Sequence, residues 1–445
     1  MLLSEAVNKK LMTGAGTVAA LLLLAGAAAA QGVGNSPYSR IGLGEYNPNL
    51  GGIRQLSMGG VGLAAPNAVN VNELNPALLY FTSRTTYEAV ITGQMHRVQN
   101  AEASGRNSSA TLGYLALAVP LSRRWGASLG LKPLTGVNYR TNPVLAVQDD
   151  PSAKAFIERT GTGGLSEVYL GQGFHVLRDL NIGATVSYVF GTIDQSTGTV
   201  LVPFGANPLA QSQIIDRETT RYSDLTFRGG AHYRHRFADR LNLNLAGVYS
   251  LPTKLQGTRT RTQERLDLTS NVQSVIPVSQ GAARTTLPAL LQGGITLDND
   301  KNWTASLDVG RQQWSKFEGT NQPAGSLYNT LRVGVGGELT PDPGSVEHYF
   351  RRVSYRFGLS AAQMPYRPAG QLLYDRAVSW GFAFPLPTAT PLDATTISLG
   401  FAYGRRGNRD YLSGGAGESN VQEDYLRVQF GVTLNNRWFL KRRLQ

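Results

Sequence analysis

Residues 56–79 read Leu56-Ser-Met-Gly-Gly-Val-Gly-Leu-Ala-Ala-Pro-Asn-Ala-Val-Asn-Val-Asn-Glu-Leu-Asn-Pro-Ala-Leu-Leu79, and the reading of this stretch decides the fold. Gly59, Gly60 and Gly62 let the backbone turn and approach its neighbours where a Cβ would clash. Asn67, Asn70, Asn72 and Asn75 bond locally and favour turns or helix starts over β-ladders. Pro76 holds Asn75 in an extended or turn geometry, after which Ala77-Leu78-Leu79 can open a short helical turn. From about Arg84 onward the pattern changes to a long series of alternating segments. A compact, non-strand piece therefore precedes one large β-structure. The expected fold is all-β: a signal peptide (residues 1–30), an N-terminal hatch (residues 31–83), and an antiparallel transmembrane β-barrel of about 14 strands (residues 84–445) that encloses the hatch.

The strands follow from period-two alternation. In the first, near Arg84 to Gln99, Tyr87, Ala89, Ile91 and Met95 face lipid while Glu88, Thr92, Gln94 and His96 face inward. In the fifth, near Leu180 to Gln195, Ile182, Ala184, Val186, Tyr188 and Phe190 alternate with Asn181, Gly183, Thr185 and Ser187. The fourth is expected near Gly164 to Val176, and the last three near Asp375 to Pro385, Thr395 to Arg406 and Gln422 to Leu434. Connections at Arg178, Asp239 and Asp300 are tight. Those over Ser196 to Arg217, Gly257 to Thr286 and Pro365 to Tyr374 read as long loops. Short turns on one side and long loops on the other are the pattern of a bacterial outer-membrane barrel. Strands of a soluble sandwich run ~5–6 residues, and many here pass ten. Tyr87, Tyr188, Trp303, Tyr355, Tyr403 and Trp438 fall near strand ends, where an aromatic girdle belongs.

Composition agrees with this class. Glycine is 51 of 445 residues, and hydrophobic residues make up 41%. No stretch beyond the leader approaches the ~20 apolar residues of a spanning helix. Lys9 and Lys10, the apolar run Val18 to Ala27 and Ala28-Ala29-Ala30 before Gln31 read as a secretory signal. The absence of cysteine excludes thiol catalysis, Cys-held Fe–S clusters and Cys-ligated zinc. The net charge is +12, and loss of one acid (Glu5) and two bases (Lys9, Lys10) with the leader leaves +11. The bases are spread over strands and loops without a recognition-helix pattern, so anionic lipid head groups or a lumen taking up anions fit better than nucleic acid.

Ser57-Met58-Gly59-Gly60-Val61-Gly62-Leu63-Ala64, followed by Asn75-Pro76-Ala77 and a first strand, resembles the FadL family of outer-membrane transporters of long-chain fatty acids and other hydrophobic compounds. Asn75-Pro76-Ala77 matches that family's hatch motif. Ser36-Pro37-Tyr38-Ser39-Arg40-Ile41-Gly42-Leu43-Gly44 and Arg437-Trp438-Phe439-Leu440-Lys441-Arg442 are similar to stretches of its Bacteroidetes members. The resemblance implies a monomer in the outer membrane of a Gram-negative bacterium, passing hydrophobic molecules by diffusion, without catalysis, metal or cofactor. It also implies a rival role, because some FadL-like barrels of Bacteroidetes serve the type 9 secretion machinery as shuttle or plug. Its partners would be that machinery's subunits.

Candidate residues for chemistry are few. His96, His175, His232, His235 and His348 show no metal-ligand spacing, and His232 and His235 point to opposite faces of one strand. Gly60-Val61-Gly62-Leu63-Ala64-Ala65 mimics a dinucleotide fingerprint but lacks the strand before and the amphipathic helix after. Arg228, Arg234 and Arg236 point inward on the sixth strand, as do Arg332 and Glu338 on the tenth, Arg356 on the eleventh, Asp308 on the ninth and Arg427 on the last. These charges either fix hatch to wall or offer Arg228, Arg234, Arg332 or Arg356 to a ligand carboxylate. Leu131-Lys132-Pro133-Leu134-Thr135-Gly136 interrupts the third strand, since proline cannot donate to a ladder. In the FadL family the third strand kinks inward and opens a side window. Pro133 and Gly136 are the corresponding positions here, and an ordinary bulge is the other reading.

Overall fold

The computed structural model describes residues 36–46, 51–147, 150–202, 213–266, 272–319, 323–387, 394–410 and 420–436. The expected signal peptide and the stretch Arg437 to Arg442, with Trp438, lie outside them. Fourteen strands form the wall: β1 (Thr85–Gln99), β2 (Ser104–Ser122), β3 (Trp125–Thr141), β4 (Asp150–Leu177), β5 (Leu180–Val202) and β6 (Gln213–Ala238). Then come β7 in two pieces (Leu241–Ser250 and Thr253–Leu266), β8 in two pieces (Val272–Leu287 and Leu290–Asp298), β9 (Trp303–Gln312) and β10 (Thr330–Leu339). The wall ends with β11 (Ser354–Gln363), β12 (Tyr374–Leu386), β13 (Ala394–Gly407) and β14 (Gln422–Asn436). All neighbours are antiparallel. The barrel closes where β14 pairs with β1, from Gln422 against Gln99 to Asn436 against Thr85.

The polarity of this wall is inverted relative to a soluble protein. Along Leu290–Asp298 burial alternates residue by residue: Leu291, Ile295 and Leu297 are exposed, while Gln292, Thr296 and Asp298 are buried. On β1, Ile91 and Met95 face out while Glu88, Thr92, Gln94 and His96 are buried. Tyr188 and Tyr403 lie exposed on the outer wall. Apolar side chains outside and polar ones inside are stable only if the outside is hydrocarbon, so this is a transmembrane barrel of the outer-membrane type.

Two expected loops are strands. β5 continues to Val202 and β6 begins at Gln213, so Ser196 to Val202 and Gln213 to Arg217 are paired sheet, while residues 203–212 lie outside those described. Gly257 to Thr286 is largely a hairpin between the outer pieces of β7 and β8. β4 likewise starts at Asp150, well before Gly164. With 28, 23 and 26 residues in β4, β5 and β6, these strands far exceed the ~9–11 residues that cross a bilayer. Their outer ends, with the β7–β8 hairpin, therefore rise beyond the membrane as a sheet. The sequence there is polar, as in a loop. Its threonines and β-branched residues nonetheless suit a ladder once partner strands are present. Pro252 and Pro288 fall at the breaks in β7 and β8, where a missing N–H interrupts pairing.

The third strand is not broken. β3 runs from Trp125 to Thr141, with a register shift against β4 between Pro133 and Thr135. Its other edge does change partner: pairing with β2 extends from Ser122 against Trp125 only to Leu115 against Leu131. Beyond that point Thr135 and Gly136 pair with a two-residue strand, Glu45–Tyr46.

Residues 51–82 lie against the inner wall, in contact with strands all round the barrel. The single helical turn Ile53–Leu56 meets β13 and β14, and the 3₁₀ turn Pro76–Phe81 meets β3, β4, β5 and β6. Ile53, Val71 and Leu79 share an apolar cluster with Val90, Tyr114, Ala116 and Ala118 of the wall. Leu63 and Leu74 join Val248 in another. Arg54 is 1% exposed, whereas Arg40 is exposed near the barrel mouth. Trypsin added to intact cells is therefore expected to leave the bond after Arg54 uncut, as read by mass spectrometry. Ready cleavage there would refute the luminal placement.

Candidate luminal site

The interior segment builds its own backbone partners from asparagine. The Asn67 carboxamide oxygen accepts from the N–H groups of Val69 and Asn70 at 2.7 and 2.8 Å. Asn72 accepts from Leu74 and Asn75 at 2.9 and 3.0 Å. Asn75 caps the following turn by accepting from Ala77 N–H at 3.0 Å, while its amide donates to Leu63 C=O at 3.0 Å and to Ala231 C=O at 3.3 Å. Pro76 follows the cap as the first residue of the turn. Gly59, Gly60 and Gly62 all take positive φ. The wall is thinned to match. A Cβ at Gly183 on β5 would strike the backbone of Pro76 and Ala77, and one at Gly358 on β11 would strike Met58 and Gly59.

Charged groups then fasten the segment to the wall. Arg54 reaches both carboxylate oxygens of Glu338 on β10 at 3.0 to 3.2 Å, and Arg356 on β11 donates to the same carboxylate at 2.6 Å. Arg332 donates to the carbonyls of Gly59 and Gly60 at 2.6 and 3.2 Å, beside Asp308, which accepts from the N–H groups of Gly62 and Leu63 at 2.8 and 2.9 Å. Opposite, Glu73 pairs with Lys132 of β3 at 2.9 Å and accepts from the Tyr169 hydroxyl, while Lys132 also lies 3.4 Å from Glu167. Arg228 donates to the Glu73 carbonyl at 3.2 Å. The cavity left among Glu73, Lys132, Glu167 and Arg228 is about 10 Å³, the space of one water molecule.

Of the four arginines singled out in the sequence, Arg228 and Arg332 thus bind segment backbone directly, and Arg356 shares the Glu338 carboxylate with the Arg54 side chain. Arg234 pairs with Asp298 at 3.1 Å and with Asp300, under the Phe81 ring. Arg236 sits at the exposed strand end, 3.9 Å from Asp300. His232 is enclosed between Asn181 and Asn244, while His235 stacks on Tyr233, so the two histidines are apart. Among the described residues no group of three or more potential metal ligands occurs.

At the edge of β3 that β2 leaves, the chain supplies its own cover. Beside the Glu45–Tyr46 pairing, Ser36 N–H donates to Asn138 C=O at 2.9 Å and Asn138 N–H to the Ser39 hydroxyl at 3.0 Å. Leu134, Thr135, Gly136 and Val137 are all buried, so both faces of β3 are covered directly after Pro133 and the register shift against β4. Glu45 is held by Arg406 at 2.9 Å and Arg427 at 3.8 Å. Burial by itself would raise the Glu45 carboxyl, but the two guanidinium groups outweigh it and hold it well below the usual carboxylate range.

Sequence reading missed the partners Arg54, Glu73, Lys132, Glu45 and Arg406. One signal was available: Glu73 is the single charged residue between Leu56 and Leu79, and a lone charge inside a barrel requires a counter-charge.

Further comparison places the chain among known proteins. The BamG family profile matches residues 10–445. The fold is similar to the Pseudomonas putida toluene transporter TodX, at 15% identity over 87% of this chain and 98% of that one, with a TM-score of 0.57. A Pseudomonas aeruginosa FadL homologue gives 16% identity, 88% and 99% coverage and a TM-score of 0.56. The Ralstonia pickettii toluene transporter TbuX gives 15%, 88% and 100%, and 0.53. At these identities the likeness is one of fold, and the barrel is FadL-like. No curated protein matches in sequence.

The network makes a direct prediction. Glu338→Gln leaves Arg54 and Arg356, both nearly inaccessible, without their counter-charge. Stability should fall by about 3–5 kcal/mol, read as a lower denaturant midpoint in detergent. Glu347→Gln, in an exposed turn, should leave it unchanged.

Proposed function

The chain belongs to the BamG family, and from that premise we propose that it is a closed outer-membrane barrel serving as a partner protein within an outer-membrane machine, with residues 31–83 as a fixed hatch. The observation that carries this reading is the filling of the lumen. Above the Asn75 region, Leu43, Leu134, Leu287, Trp314, Phe317 and Leu327 close into one buried apolar cluster with wall residues of β4 to β8. Below it, the ion pairs of Arg54, Glu73 and Glu45 tie the segment to opposite sides of the wall. A molecule passing through would have to separate buried pairs costing about 3–5 kcal/mol each when one partner is lost. The resemblance of Ser36 to Gly44 to Bacteroidetes members directs the search to that phylum's secretion machinery. Affinity purification of the full-length protein from native membranes should then recover outer-membrane machine subunits in near-stoichiometric amounts. The purified protein in liposomes should not accelerate uptake of a labelled fatty acid. Saturable uptake without stable partners would overturn the proposal.

One observation favours a second reading, transport of hydrophobic compounds with sideways exit. The wall parts between β2 and β3 beyond Leu131, and TodX and TbuX, whose fold this one resembles, are toluene transporters. Under that reading, Pro133→Val should restore regular pairing and lower uptake of a labelled fatty acid while the barrel stays heat-modifiable on gels. Unchanged, negligible uptake in both proteins would remove the transport reading.

A further inference from the structure

The barrel mouth holds a cavity of about 580 Å³, within the ~300–1,000 Å³ range of ligand sites. Its floor is Ile41, Leu43, Ile193, Tyr222 and Phe317. Leu43, Ile193, Tyr222 and Phe317 belong to the buried apolar cluster and Ile41 packs against it, so the floor of the cavity is the top of that cluster. Its sides come from the outer ends of β3 to β7 and carry hydroxyl and amide groups, among them Thr141, Gln195, Ser196, Thr197 and Thr220.

Its charges do not balance. Arg261 is engaged by Asp216 and Glu218 by Arg259 at 3.8 Å. Arg40 and Arg159 also line the cavity, as does Tyr139, yet neither arginine makes an ion pair among the described residues, and the Tyr139 hydroxyl hydrogen-bonds with Gln195. Two guanidinium groups with no ion pair among the described residues, over a hydrogen-bonding wall, call for carboxylates on something that also offers N–H and C=O groups. Below the floor the cluster's apolar side chains pack against one another, whereas an extended backbone finds partners along the sides.

We propose that this vestibule docks an extended acidic peptide segment of a partner protein, with Arg40 and Arg159 taking its carboxylates and the Phe317 floor taking one apolar side chain. The inference rests on the closed-barrel reading above and names the surface through which such a partner is held from outside.

The test uses the full-length protein in detergent micelles and a fluorescein-labelled hexapeptide alternating glutamate with phenylalanine. Saturable binding is expected, weakened by salt. It should fall about tenfold or more in the Arg40→Glu/Arg159→Glu variant, as losing two charge pairs worth ~1 kcal/mol each implies. Arg123→Glu, in a turn at the opposite end, should bind as the parent does. All variants are checked for heat-modifiability, so a folding failure is recognised. Equal binding by the double variant, or by the lysine counterpart of the peptide, would overturn the proposal. Displacement of the peptide by dodecanoate with the same dependence on both arginines would also overturn it, assigning the site to amphiphiles. Liposome uptake is measured in parallel. Uptake with intact peptide binding refutes the closed barrel and leaves the site standing, while no uptake and no peptide binding does the reverse.

Discussion

Lipid hydrocarbon offers no hydrogen bond, and the rest of this structure follows from that constraint. Every backbone group at membrane depth has to be satisfied within the protein, which a closed ladder achieves for the wall. The wall's inward face must then carry the polar side chains that the outside cannot accept. A lumen lined by Glu88, Asp308, Glu338, Arg356 and Arg427 is the consequence, all of them buried or nearly so. An irregular segment can lie at this depth only because such a lining exists to receive it.

The segment meets the wall halfway. Asparagine side chains close its own turns, which leaves a limited set of carbonyl and N–H groups for the wall to satisfy. Arg332, Asp308 and Arg228 take several of these. Net charge pairs add the rest of the fastening. Buried ion pairs are weak arguments for stability when compared with apolar replacements, since desolvation offsets most of the attraction. Among the described residues Arg54 is compensated by Glu338 of β10 and Glu73 by Lys132 of β3, on well-separated strands of the wall.

Two features modify the plain barrel. The parting of β2 and β3 beyond Leu131 exposes an edge of β3 that residues 36–46 cover. An N-terminal strand thereby completes the ladder that a wall strand abandons. The outer ends of β4 to β8 rise as a sheet beyond the membrane, and they frame the polar mouth above the apolar floor. Both features arise on the same side of the barrel, so the cover over β3 and the wall of the vestibule are one continuous structure.

What the sequence by itself determined was the membrane barrel, together with the local turns of the segment that precedes it. Strict alternation such as Leu290 to Asp298 permits only one arrangement of faces, and turn chemistry at Gly59, Asn72 and Asn75 is local. The inward direction of Arg228, Arg332 and Arg356 followed from the same pleat. What only the tertiary structure decided was which charges meet. Arg54 and Glu338 are 284 residues apart, and no local pattern links them. The same holds for the outer strands, whose polar sequence is neutral between loop and ladder until a neighbour offers its edge. The exchange of partners along β3 was visible only as a proline. Whether a missing N–H makes a bulge or a parting depends on where the adjacent strand goes, and that is a property of the closed wall rather than of Pro133.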